Sequence, residues 1–314
     1  MRTAFMNALL EVAELDDRVW LLVGDVGYSV VEPFRDRYPG RFVNMGVAEQ
    51  NMTGVAAGLA LSGKIVFTYS IANFPTLRCL EQIRNDVCYH QADVKIVSVG
   101  GGLAYGPLGS THHGTEDLAI MRALPGMTVV APGDPIEAML ATRAVTATSG
   151  PCYLRLGKAG EPVVHLETPS YQLGKAIRVR DGKDVTLVTT GAMLRTAVQA
   201  AQELAEEGIS TRVLSMHTLK PLDTDAVLTA AHDTHLLVTL DEHGPIGSLG
   251  EAVAHALASV GAVVPFKHIS LPSTFFYEAG SQEYLRSKAG LTVNALKVAV
   301  TSALRERPLS AALK

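Results

Sequence analysis

A chain of 314 residues, 47% hydrophobic and 18% charged, has enough apolar surface for one or two packed cores, which excludes a disordered protein. Lys plus Arg total 27 against 31 for Asp plus Glu, a formal charge of -4, so no basic face for nucleic acid is expected. The three cysteines, Cys79, Cys88 and Cys152, form no C-x-x-C, which argues against a disulfide framework or zinc site and points to a reducing, cytoplasmic setting.

Phe5, Leu9 and Val12 recur at helical spacing, interrupted by Glu11, Glu14, Asp16 and Asp17. They predict a surface helix rather than a signal peptide. No stretch approaches the roughly 18 apolar residues of a membrane span. Short β-branched runs predict strands at 19–23, 42–45, 64–69, 94–99 and 127–130, with helices at 48–62, 73–90, 116–123 and 134–147 between them. The last helix opens Asp134-Pro135-Ile136-Glu137, an N-cap acid, a first-turn proline and a third-position acid. This alternation predicts a parallel sheet covered by helices. The rhythm breaks after 158, where Gly157, Gly160, Pro162 and Pro169 leave no period. It restarts with strands at 185–188, 211–214, 236–240 and 266–269 and helices at 192–207, 248–259 and from about 292. The expected plan is α/β in two domains, 1–165 and 183–314, joined by a linker at 166–182.

Two features stand out chemically. Glu49 follows a predicted strand and opens a nearly uncharged helix in which Gly54, Ala57 and Gly58 allow close packing. An acid in a first turn can simply complement the helix dipole. At the mouth of a buried helix it can instead be a desolvated group that shares a proton. The second feature is the glycine-rich stretch from Gly100 to Gly114, which follows a strand and carries His112 and His113. It has neither the G-x-G-x-x-G order nor the Lys-Ser/Thr ending of a phosphate loop. Its histidines suit acid/base work or bracing of the loop; a metal site lacks a third ligand.

These residues also carry a resemblance. The run Phe42-Val43-Asn44-Met45-Gly46-Val47-Ala48-Glu49-Gln50-Asn51-Met52 resembles the pyrimidine-domain signature of transketolases, and Gly109 through Ala119 resembles their T-H-Q-x-x-E-x-L-A segment. Leu240 through Gly250 and Phe275 through Leu291 resemble the family's C-terminal domain. The likeness runs in order along nearly the whole chain. The family's G-D-G metal motif with its later Asn has no counterpart, so the chain is similar to the C-terminal half of a split transketolase. That implies an N-terminal partner subunit holding the diphosphate and Mg2+ or Ca2+, no metal ligand here, and an α2β2 assembly.

The resemblance implies thiamine diphosphate as cofactor and transfer of a two-carbon ketol unit from a ketose, or its phosphate, to an aldose. It implies that Glu49 hydrogen-bonds N1′ of the aminopyrimidine, that Phe74 stacks on that ring, with Tyr69 and Phe67 as nearby alternatives for that role, and that Asp25 and Ser29 line the channel. His112 matches the His that faces the donor, with His113 replacing the Gln. Arg155 lies near the position of a phosphate-holding Arg, with Lys158 beside it. Leu108 stands where the family has an Asp contacting the donor hydroxyl, and Gly100 where it has a His. Those departures leave open an unusual sugar substrate or a β-type subunit acting on a 2-oxo acid; a non-catalytic interface subunit is a separate alternative.

Overall fold

A computed structural model describes residues 1–305. The first half runs α1 (Arg2–Leu15), β1 (Val19–Val23), α2 (Glu32–Arg37), β2 (Phe42–Asn44), α3 (Glu49–Leu61), β3 (Ile65–Ile71), α4 (Leu80–Gln82), β4 (Val94–Val99), α5 (Asp117–Ala123), β5 (Thr128–Val130), α6 (Pro135–Thr146) and β6 (Cys152–Leu156). The second half runs β7 (Ile177–Arg180), β8 (Val185–Thr189), α7 (Leu194–Glu206), β9 (Thr211–Ser215), β10 (Thr218–Lys220), α8 (Thr224–Asp233), β11 (Leu236–Leu240), α9 (Leu249–Ser259), β12 (Phe266–Ile269), α10 (Gln282–Lys288) and α11 (Val293–Arg305).

The strands form two sheets, a seven-stranded one ordered β10-β5-β6-β4-β3-β1-β2 and a five-stranded one ordered β12-β11-β8-β9-β7. All pairings are parallel except those of the edge strands β10 and β7. Every residue of β4, β6, β8 and β11 is buried, as expected for strands covered on both faces. The α6 start follows its sequence signal: the Asp134 carboxylate accepts from the Glu137 amide at 2.8 Å. The α1 helix is a surface helix with a buried face, on which Phe5, Met6 and Leu9 meet the first sheet's core.

Three expectations need correction. The helix expected at 73–90 is instead a 3-10 turn (Leu77–Cys79), α4 and a π turn (Ile83–Cys88). Pro75 lacks an amide donor, and the Thr76 hydroxyl bonds back to the Ala72 carbonyl at 2.7 Å, so helix begins only afterwards. The stretch read as linker ends in β7, which pairs antiparallel with β9. Its Ile-Arg-Val-Arg pattern is that of a short charged edge strand, too brief to show a period. Finally, β10 lies in the second half of the chain yet joins the first sheet beside β5, so each half is tied to the other by backbone pairing.

Candidate active site

Strand alternation decides which side chains meet Glu49. Along β3, Ile65, Phe67 and Tyr69 face the core under α1, whereas Val66 and Ser70 point to the face covered by α3. Glu49 opens α3 directly after the β2 loop and is 1% exposed. Its Oε1 accepts from Ser70 Oγ at 3.0 Å and its Oε2 from Arg78 Nη1 at 2.7 Å. Gly24, at the end of β1, backs the carboxylate: a Cβ there would lie 3.2 Å from both Glu49 Oε1 and Ser70 Oγ.

From Glu49 a continuous row of side chains crosses the carboxyl ends of the strands, where open α/β sheets bind ligands. The Arg78 guanidinium lies 4.8 Å from the Phe74 ring centre. Phe74 meets His112 edge-on at 5.3 Å, His112 lies 6.4 Å from Tyr105, and Lys158 Nζ sits 5.0 Å from the Tyr105 ring. Phe74, His112 and Lys158 are half-buried. Beside this row is the loop after β1, where Asp25 and Ser29 are exposed and hold positive φ of 54° and 63°. Left-handed backbone at non-glycine residues is a strain that clusters at functional sites. Asp25 Oδ1 accepts from Asn44 Nδ2 at 2.9 Å, which fixes the loop to the end of β2.

The Gly100-Gly101-Gly102 run has a packing cause. A Cβ on Gly100 would strike the Tyr105 ring at 2.1 Å, one on Gly101 the Arg155 guanidinium at 2.4 Å, and one on Gly102 the Glu242 carboxylate at 2.5 Å. The loop is threaded over a buried ionic network. Arg155 Nε donates to Asp117 Oδ2 at 2.9 Å, and Arg155 Nη2 donates to the carbonyls of Gly114 and Glu242 at 2.5 and 3.1 Å. Arg286 closes a two-point pair with Glu242 at 2.8 and 2.7 Å. His243 is 1% exposed; its Nδ1 lies 2.8 Å from the Gly244 carbonyl and its Nε2 3.4 Å from the Ala119 amide, as a satisfied His at the seam between the halves.

Several sequence assignments move. Tyr69 is on the opposite face of the sheet, 1% exposed and stacked on Phe5 at 6.0 Å, so it cannot reach a ring held by Glu49. Phe67 shares that face. Arg155 is not a free anion ligand, because its guanidinium is spent on Asp117 and two carbonyls; Lys158, beside Tyr105, and Arg78, beside Phe74, are cations of the row. Leu108 is 53% exposed on a 3-10 turn. His113 is 3% exposed, burial pushes its imidazole below the usual value, and its Nε2 finds no partner among the described residues. Sequence reading missed Ser70, Tyr105 and Arg78. Arg78 had a signal: it is the sole charge between Lys64 and Glu81.

Residues 1–160 match the transketolase pyrimidine-binding domain and residues 174–296 the transketolase C-terminal domain. The chain belongs to the transketolase family. It is 41% identical over 293 residues to the 6-deoxy-6-sulfo-D-fructose transketolase subunit SqwH of Clostridium sp. (strain MSTE9), covering 93% of this chain and 90% of that one. An apulose-4-phosphate transketolase subunit of Phocaeicola vulgatus is 38% identical over 303 residues, 94% of this chain and 96% of its own. Among solved structures, a split gene transketolase described as an inactive beta4 tetramer superposes with a TM-score of 0.88 at 37% identity, covering 98% of both chains. This is a transketolase-type transferase subunit, and the family depends on thiamine diphosphate. Among the described residues, no helix of this transketolase chain is long and apolar enough to cross a membrane.

Proposed function

We propose that this chain is the C-terminal subunit of a two-subunit, cytoplasmic transketolase that transfers a two-carbon ketol unit from a ketose, or its phosphate, to an aldose. Its N-terminal partner carries the G-D-G and Asn motif and holds the diphosphate with Mg2+ or Ca2+, in an α2β2 assembly. The observation that carries this reading is Glu49, a carboxylate buried at the start of α3 and bridged by Arg78 to the half-buried Phe74 ring. The donor set suits an aminopyrimidine: one carboxylate and one aromatic face, with Arg78 lying across both, and Gly24 leaves no room for a side chain behind the carboxylate. When bound, thiamine diphosphate supplies a carbanion equivalent at its thiazolium C2.

The chain's own residues do the rest. Glu49 would hydrogen-bond N1′ and Phe74 would pack on the pyrimidine, while Ser70 and Gly24 keep the carboxylate in place. His112, held between Phe74 and Tyr105, faces the reacting atoms as a hydrogen-bonding or acid/base group. Lys158 takes the anionic end of a phosphorylated acceptor. Asp25, Ser29 and Leu108 border the substrate path, with His113 bracing the loop from beneath.

Two measurements test this. Calorimetric titration of thiamine diphosphate and Mg2+ should show binding only when the N-terminal subunit is present. Tight binding to this chain alone would overturn the division of labour. With the assembled pair, transfer from a ketose phosphate is expected; carbon dioxide release from pyruvate without ketol transfer would replace the transketolase reading with the 2-oxo-acid one.

A further inference from the structure

Glu49 presents no free face. It is 1% exposed, with Ser70 on Oε1 and Arg78 on Oε2. The role proposed for this carboxylate requires the oxygen that Arg78 occupies. Arg78 also takes the second contact such a ring would need, because its planar guanidinium lies over Phe74 at 4.8 Å. One flat, hydrogen-bonding cation thus makes both contacts an aminopyrimidine would make, to the same two side chains. An ion pair that merely neutralised Glu49 would not need the aromatic face.

The surroundings allow this guanidinium to leave. The Arg78 backbone is fixed, since Gln50 Nε2 donates to its carbonyl at 3.0 Å from the first turn of α3. Its side chain remains 42% exposed, with solvent on one side. Arg78 stands on a single 3-10 turn, ahead of the short α4 and the π turn, so only its side-chain torsions need change.

We propose that Arg78 is an internal occupant of the aminopyrimidine site: its guanidinium holds Glu49 and Phe74 in their working positions and is displaced when the cofactor's pyrimidine enters. The inference rests on the assignment of Glu49 and Phe74 made above. Displacing an internal competitor lowers apparent affinity by the fraction of chains in the open state. Removing the competitor therefore tightens binding, whereas removing a mere support for Glu49 would weaken it. The sign of the effect separates the two roles.

The test is equilibrium titration of the assembled two-subunit enzyme with thiamine diphosphate at saturating Mg2+, comparing wild type, Arg78→Ala, Arg78→Lys, Glu49→Gln and Phe74→Ala. Arg78→Ala should bind about 5–20-fold more tightly, the size expected if the open state is a minor population. Arg78→Lys, which keeps the charge without the flat face, should fall between it and wild type. The thiazole diphosphate fragment, which has no pyrimidine, should bind all Arg78 variants equally. Unchanged or weaker thiamine diphosphate binding by Arg78→Ala, with Glu49→Gln and Phe74→Ala both weakened, would overturn the internal-occupant role and leave the site assignment standing. If Glu49→Gln and Phe74→Ala also bind as wild type, the site assignment itself fails and takes the proposal with it.

Discussion

Arg155 and Lys158 lie in one short stretch, yet the fold gives them opposite duties. Arg155 is almost fully buried against Asp117, which is itself 1% exposed. Arg155→Met should therefore destabilise the chain by about 3–5 kcal/mol, the usual cost of stranding a buried charge. Urea unfolding checks this, and a variant within 1 kcal/mol of wild type, roughly the surface-pair range, would mean the pair is dispensable. Lys158→Ala should leave the urea midpoint unchanged and raise KM for a phosphorylated acceptor at least about 10-fold, as loss of one charge-assisted contact does. At Glu49 the expected effect is on turnover: Glu49→Gln in the assembled enzyme should lower kcat at least about 100-fold, the scale of a lost acid/base group. Near-native turnover would remove its role toward the cofactor and favour the interface-subunit reading.

At the scale of elements, the glycine-rich loop and β3 show how geometry assigns function. The glycine-rich loop follows a strand, and its first three glycines admit the Tyr105 ring, Arg155 and Glu242. Gly101→Ala should cost about 1–3 kcal/mol of stability through overpacking against a guanidinium that has no room to retreat. Thermal unfolding at neutral pH reads this directly; an unchanged Tm would show that the loop can shift without loss. In β3 the two-residue alternation puts Ser70 on the Glu49 face and Tyr69 on the α1 face. That single parity choice turns one aromatic away from Glu49 and supplies a hydroxyl instead.

For the whole molecule, buried histidines where the halves join set the pH response. His217, beside β10, is fully buried and stacked on Tyr171 at 4.0 Å, with Thr218 Oγ1 2.9 Å from its Nδ1; Glu137, His165 and Asp223 are the nearby titratable groups. Burial pushes its imidazole, like that of His113, below the ordinary value of 6.5. The unfolded chain then binds more protons below pH 6.5, so stability from these groups is present above that value and falls as pH drops through it. His165 carries a raised value: desolvation lowers it, but the bond to Glu137 at 2.8 Å together with the charges of Glu137 and Asp134 outweighs that burial. Its contribution has the opposite sign: present below 6.5 and lost as pH rises through the raised value. His217→Gln should flatten the acid limb of the stability profile and His165→Gln the alkaline limb, measured by urea midpoints from pH 5 to 9, roughly the span over which histidine titrates. A His217→Gln profile that kept its full acid slope would place the titrating group elsewhere.

The sequence by itself determined the α/β class, most strands and helices to within a residue or two, and Glu49, Phe74 and His112 as a candidate set. Those are local properties: β-branched runs, helical spacing, an N-cap signature, and motifs confined to a few neighbouring residues. Tertiary structure alone decided what depends on distant pairing and on facing. It brought β10 into the first sheet and β7 onto the second, turned Tyr69 away, spent Arg155 on Asp117 and the Glu242 carbonyl, and laid Arg78 across Phe74 onto Glu49. A short edge strand has too few residues to show a period. A lone arginine can face solvent, a buried acid or a ligand with the same letters around it, and only the packing of residues far apart in the chain selects among them.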